Sequence, residues 1–374
     1  MELPSKRNYG VDLLRIVATF MICVLHMQGQ GGILANAPFM SAQYEVAWLL
    51  ETLCICGVNC YALISGYVGI KSKYKYTNYV CLWLDVVLVC VLFTVGFAIF
   101  MPEAVTPADY LKMIFPATNR QYWYFSSYTV VFLMMPLLNN TVNNLSEKQL
   151  RVMLLSVFVL FSVLNTAFYN KTFYDNVWGS NIEPYGLLDG YSGIWLAMLY
   201  LAGAYFGKYG FPKWATPKRG LLTFFGSVLL AWGARILIDL FGEPTANPLA
   251  YLYLASYVSP LIVLCAIGLL VCFAQMRTSP AAEKVIGFIA PTTFFIYLAQ
   301  THPLLWVNVI AGIIAPYATA SVPVMVGVIL LASLAPFVGG LILGKIKDAI
   351  SGALGIRKRI AAFEKKHIGN LWEE

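Results

Sequence analysis

Apolar positions along this chain come in long runs rather than in the one-faced patterns of water-soluble elements. Runs of about twenty residues, the length a helix needs to cross a bilayer core, lie near 11–28, 45–70, 77–100, 122–139, 151–168, 190–207, 220–241, 251–275, 286–308 and 322–344. The pattern predicts an all-α polytopic membrane protein, a bundle of about ten transmembrane helices with lipid as its first partner. Gly or Ser breaks interrupt the second and fourth runs, so their ends are the least defined. No internal repeat is evident.

Composition agrees with the pattern. Of 374 residues, 59% are hydrophobic and only 11% charged, with a mean hydropathy of +0.71. That is too little charge to cover a water-facing surface. The few cations are distributed by connection. If the N-terminus is cytoplasmic, twenty of the 25 Lys and Arg residues fall on its side, and only Lys112, Arg120 and Lys171 on the other. Cytoplasmic connections carry the excess of Lys and Arg, so both termini are expected to be cytoplasmic, in a multi-pass protein of the cell membrane. The net charge of +7 then follows from topology and implies no nucleic acid.

A cleavable signal peptide is the rival reading of the first run, from Lys6 and Arg7 to Ala35-Asn36-Ala37. Against it, the stretch from Gln28 to Ala37 is long for a cleavage region, and a discarded segment has no use for Arg15 and His26. An integral-membrane domain is expected over 1–344. A basic amphipathic cytoplasmic tail follows over 345–374, suited to the anionic inner leaflet. All eight cysteines lie within predicted spans. Cys54, Cys56 and Cys60 invite a metal reading, but Cys54 and Cys56 point to different sides of a helix. Neither a metal site nor a disulfide framework is expected.

Polar groups inside apolar runs are costly and mark function by default. The stretch DLLRIVATFMICVLHM carries three. Arg15 and His26 are eleven residues apart, close to three full turns, so they share one face about 16 Å apart along the axis. Asp12, one turn before Arg15, is within reach of it. By depth, Glu51, Arg235, Asp239, Gln300 and His302 fall in the same outer layer as His26. Structural alternatives stand beside this: Arg235 and Asp239, four apart, as an ion pair, and His302 before Pro303 as the cap of a broken helix. Asp85 has no partner on its own helix. His367 falls in the basic tail as a surface residue.

Histidine takes and returns a proton near neutral pH, and a carboxylate beside it orients the ring. Such a layer can activate a hydroxyl for attack on an activated acyl donor. It can equally relay protons in a proton-coupled transporter or flippase of a polar glycan. The physics of the residues leaves both open.

Here the chain resembles a known group. Arg15 to His26, an R-x10-H pattern within VDLLRIVATFMICVLHM, is similar to the hallmark of the integral-membrane acyltransferase family three. NCYALISGYVG (59–69), WYFSSYTVVFLMMPLLN (123–139), GYSGIWLAMLYLAGAYFGKYG (190–210) and FIAPTTFFIYLAQTHPLLW (288–306) resemble further blocks of that family, in order along the chain. The resemblance implies ten membrane helices and transfer of an acyl group, acetyl above all, from cytoplasmic acyl-coenzyme A. The acceptor it implies is a hydroxyl of a cell-surface or lipid-linked carbohydrate. On this likeness His26 is the catalytic histidine and Arg15 its motif partner at the donor; the polar layer itself lets His26 act as general base or carry the acyl group transiently, with Glu51 or His302 orienting the ring. Two departures matter. The ninth block commonly reads Tyr-Leu-Ile-His, whereas Gln300 stands in the histidine's place here and His302 lies two residues on. The Arg-x-x-Arg motif of some relatives is missing. Donor phosphates would then fall to Lys71, Lys73, Lys75, Lys208, Lys213, Lys218 and Arg219, cations that topology alone also explains.

Overall fold

The computed structural model describes residues 7–119, 121–168, 185–241 and 254–369. Lys6, Arg120 and Lys171 lie outside them, as does the start of the run at 251–275. Among the described residues there is no strand, and the chain is an all-α membrane protein. The main helices are α1 (Tyr9–Gly29), α2 (Ala42–Cys54), α3 (Gly57–Gly69), α4 (Tyr76–Phe100), α5 (Pro107–Ile114), α6 (Trp123–Asn144) and α7 (Glu147–Phe158). They continue as α8 (Gly193–Tyr209), α9 (Pro217–Phe241), α10 (Pro260–Ala274), α11 (Pro280–Ile289), α12 (Thr293–Gln300), α13 (Val322–Ala353) and α14 (Ile356–His367). Every predicted run carries helix. Among the described residues, seven helical stretches are long and apolar enough to cross a membrane. The runs that miss this length or composition are α6, α8 and α10.

The first helix is the hub. It packs against α2, α3, α10, α11, α12 and α13, and most of its side chains are buried. Asn8 starts it, accepting from Val11 N at 3.1 Å and donating to Ala274 O at 2.8 Å. The chain therefore enters α1 already tied to the end of α10. Outward-facing helices are different: α4, α7, α9 and α13 leave much of their apolar surface exposed, as lipid-facing helices must.

Close crossings use missing side chains. A Cβ on Gly66 would lie 1.9 Å from Tyr200 O, and one on Gly203 2.0 Å from Leu63 O. Helices α3 and α8 therefore meet backbone to backbone, as small residues permit in membranes. Charges inside the bundle are paired across helices. Asp85 meets Lys347 of α13 at 3.1 Å, the partner its own helix lacks. Arg235 meets Asp239 at 2.5 Å and also Glu45 of α2, with the rings of Tyr44 and Trp48 at 4.9 and 5.3 Å. The predicted pair is thus part of a buried clamp between α2 and α9. Such clusters specify geometry more than they add stability.

Helix α13 runs through residue 344 without interruption to Ala353. After a left-handed Gly355 (φ 62°), α14 turns back and packs on α4. Glu364 accepts from Tyr76 N at 2.7 Å and Thr77 N at 2.9 Å, and from the Thr77 hydroxyl. Partial burial pushes the Glu364 carboxyl up, but these hydrogen bonds outweigh it and hold it below its ordinary value of 4.5.

Candidate functional site

The helix face predicted to carry Arg15 and His26 opens into two cavities, one toward each end of α1. The cavity at the lysine-rich end encloses about 180 Å³ and is lined by Arg15, Ser65, Lys73, Lys75, Asn78, Tyr128 and Asn139. Asp12, itself 6% exposed, accepts from Arg7 Nε at 2.6 Å and Arg15 Nη1 at 3.0 Å. Arg15 is thereby fixed at its base while about a third of its side chain stays exposed. A cavity with three cations in its wall favours an anionic guest.

The cavity at the other end is larger, about 640 Å³, and chemically different. His26, Glu51, Gln30, Gln121, Asp189 and Ser256 supply its polar wall, and Trp123, Tyr191, Tyr257, Tyr297 and Trp306 the aromatic one. The His26 ring meets Trp306 edge to face, centroids 4.8 Å apart at 85°, and its Nδ1 is buried without a hydrogen-bond partner. Glu51 accepts from Gln28 Nε2 at 2.5 Å. The carboxylate is thus in the histidine's cavity, but its hydrogen bond goes to Gln28, two residues past His26. Leu188 and Asp189 keep left-handed backbone at φ 50° and 53°. That conformation is costly for residues with a Cβ and clusters at sites where function needs it.

Between the cavities is a narrow waist of about 30 Å³, where His26, Tyr61, Tyr124, Phe294 and Tyr297 converge. The Thr19 hydroxyl, on the same face as Arg15 and His26, donates to Arg15 O at 2.7 Å and shares a 2.5 Å hydrogen bond with Tyr61. Tyr124 stacks on Tyr128 of the basic cavity at 6.3 Å and meets Tyr297 at 6.0 Å. One line of tyrosines therefore joins the two compartments.

Not every predicted residue reaches this axis. His302 is fully buried, but its Nδ1 accepts from Leu304 N at 3.3 Å and its ring stacks on Phe93 at 5.0 Å. It caps the turn that follows the break in the ninth run and is not in the cavity wall. The π-helical turn Trp306–Ile310 then swings Trp306 onto His26. Gln300 is buried with its amide against Cys23 and His26. Of the candidate cations, Lys73 and Lys75 line the basic cavity with Arg15, whereas Lys71, Lys208, Lys213, Lys218 and Arg219 do not. Lys208 donates to Val142 O at 2.8 Å and Asn143 O at 3.2 Å, closing the C-terminus of α6. Arg219 donates to Trp214 O at 2.9 Å. The cysteines are free thiols. Among the described residues no group of three or more His, Cys, Asp and Glu side chains is arranged to hold a metal.

The aromatic wall and Gln30, Gln121 and Asp189 were not singled out from the sequence. They come from distant parts of the chain, and no spacing joins them. The signal for the wall lay in the quoted blocks that hold Trp123, Tyr191, Tyr297 and Trp306, while Tyr257 falls in none of them.

No curated protein and no solved structure matches the chain. A family model described as an acyltransferase domain does match it, over residues 8–344, a stretch that holds both cavities and the waist between them. With the R-x10-H pair placed on this axis, the protein belongs to the acyltransferase 3 family and is a membrane-embedded acyltransferase.

Proposed function

We propose that this enzyme transfers an acyl group, acetyl in the first instance, from cytoplasmic acyl-coenzyme A to a hydroxyl of a cell-surface or lipid-linked carbohydrate. One observation carries the reading. A single face of α1 holds a cation in a basic cavity and an imidazole in an aromatic, polar one, with the waist between. The lysine-rich end is cytosolic by the positive-inside rule, in the plasma membrane. The basic cavity suits the phosphates of the donor, with Lys73 and Lys75 as point charges and Arg15 nearest the reacting end. The outer cavity suits a sugar: aromatic faces for the ring, and carboxylate and amide groups for the hydroxyls.

In the reaction, His26 removes the proton of the acceptor hydroxyl as that oxygen attacks the thioester carbonyl. The C–S bond breaks, and the imidazolium returns the proton to the departing thiolate. Arg15 orients the donor so that its thioester reaches the waist. Glu51 holds Gln28 and lines the acceptor side. His302 works at one remove, since its cap sets the turn that leads to Trp306, and Trp306 fixes the His26 ring.

The test is transfer from labelled acetyl-coenzyme A in membranes, with mass spectrometry of surface glycans in cells with and without the gene. One acetyl mass increment that disappears with His26→Ala is the expected result. Normal turnover by a folded His26→Ala protein would remove the histidine from the mechanism. Glycan movement without acyl exchange would favour the transporter reading.

A further inference from the structure

Helix α14 lies beyond residues 8–344, the stretch the family model matches. Its amphipathic sequence suits a membrane surface, yet the structure sets it against the start of α4 and fastens it at two points. Arg357 Nη2 donates to Asn78 Oδ1 at 2.5 Å. About two turns further on, Glu364 takes the backbone amides of Tyr76 and Thr77. Those are first-turn amides with no partner inside the helix. Lys75, the N-cap residue, offers no side-chain bond to them, so the cap of α4 is supplied from the other end of the chain.

The fastened segment is also the wall of the basic cavity. Lys73, Lys75 and Asn78 line it together with Arg15. Arg357 therefore sits on a residue of that wall, and the Glu364 contact two turns away fixes the angle at which its guanidinium meets the rim. A guanidinium carries five N–H donors in a rigid fork suited to phosphate oxygens, more than Asn78 and the neighbouring Cys81 use. The positive end of the α4 dipole points the same way. Pure adhesion to lipid needs none of this; it needs only cations facing the bilayer, on any side of the helix.

We propose that α14 is part of the donor pocket and that Arg357, held in place by Glu364, is a further ligand for the phosphate groups of coenzyme A. The inference rests on the donor reading above and adds to it a binding residue and a positioning residue.

The experiment measures binding of coenzyme A, and of pantetheine, which lacks the phosphates, to the purified full-length protein in detergent. Arg357→Ala is expected to weaken coenzyme A about tenfold, the worth of one charge-assisted hydrogen bond. It should therefore reduce the preference for coenzyme A over pantetheine by the same factor. Arg357→Lys should recover part of that preference. Glu364→Gln should lower coenzyme A affinity by a smaller factor in the same direction. Unchanged coenzyme A affinity in Arg357→Ala would overturn the inference, and so would an equal loss for pantetheine, which marks a structural role alone. Arg357-dependent binding in a wild-type protein that transfers no acyl group would leave the inference standing and remove the donor reading. A wild-type protein that binds no coenzyme A would end both.

Discussion

The two cavities along α1 are built from different materials. The one at the lysine-rich end is small and cationic, with Arg15, Lys73 and Lys75 in its wall. The one around His26 is more than three times larger and has aromatic rings and carboxylates instead. Opposite charge character in two compartments is what the proposed function needs, one cavity for each of two different molecules. A cationic cleft collects a multiply charged group by long-range attraction. A wide aromatic cavity with scattered acceptors recognises a neutral, hydroxyl-rich one by stacking and hydrogen bonds. The same helix lines both cavities because positions eleven residues apart return to one face.

That division can be attacked at its strongest point first. His26→Ala should lower kcat by roughly 100- to 10,000-fold, the range for loss of a general base, measured by single-turnover acyl transfer. Arg15→Ala should act on the donor side, raising the KM for acyl-coenzyme A by about tenfold or more and leaving the acceptor KM near wild type. An equal shift in both would mean the compartments are not separate. Trp306→Ala should do the converse. It removes a ring of the acceptor wall and the support of His26, so acceptor kcat/KM should fall by about tenfold while donor binding persists. The smallest effect concerns the rim of the basic cavity. The Glu364 carboxyl sits below its ordinary value of 4.5, so its contribution is complete above that value and fades as pH falls through the lower, folded one. The charge that acts on it is Lys75 of the α4 segment, which favours the ionised carboxyl. Cleavage of the segment from Arg357 to Lys366 by an acid-active protease should therefore rise once the pH falls below that ordinary value, and Glu364→Gln should cleave readily at neutral pH.

Much of the architecture was legible because lipid imposes a simple grammar. Long apolar runs anticipated the seven helical stretches able to cross a membrane among the described residues, and R-x10-H on one face anticipated that Arg15 and His26 would lie along one side of α1. Residues whose meaning depends on distant partners were not legible. Asp85 looked unpaired because Lys347 is 262 positions away. Glu51 was expected to serve His26, yet an amide two residues past the histidine holds it. His302 offered both a catalytic and a capping reading, and its Nδ1 is engaged in the cap. The basic tail showed the pattern of a lipid-surface helix, and the same pattern suits docking on α4. Periodicity specifies which face is apolar but not what covers it.

The waist between the compartments has a consequence of its own. At about 30 Å³ it has room for about two water molecules, while clefts stand open on either side. A bilayer that stores a voltage cannot tolerate a continuous wet column through one of its proteins. On the proposed function the tyrosine-lined narrowing would therefore act as an electrical insulator as well as a meeting place, letting two reagents approach from opposite sides while the membrane between them stays charged.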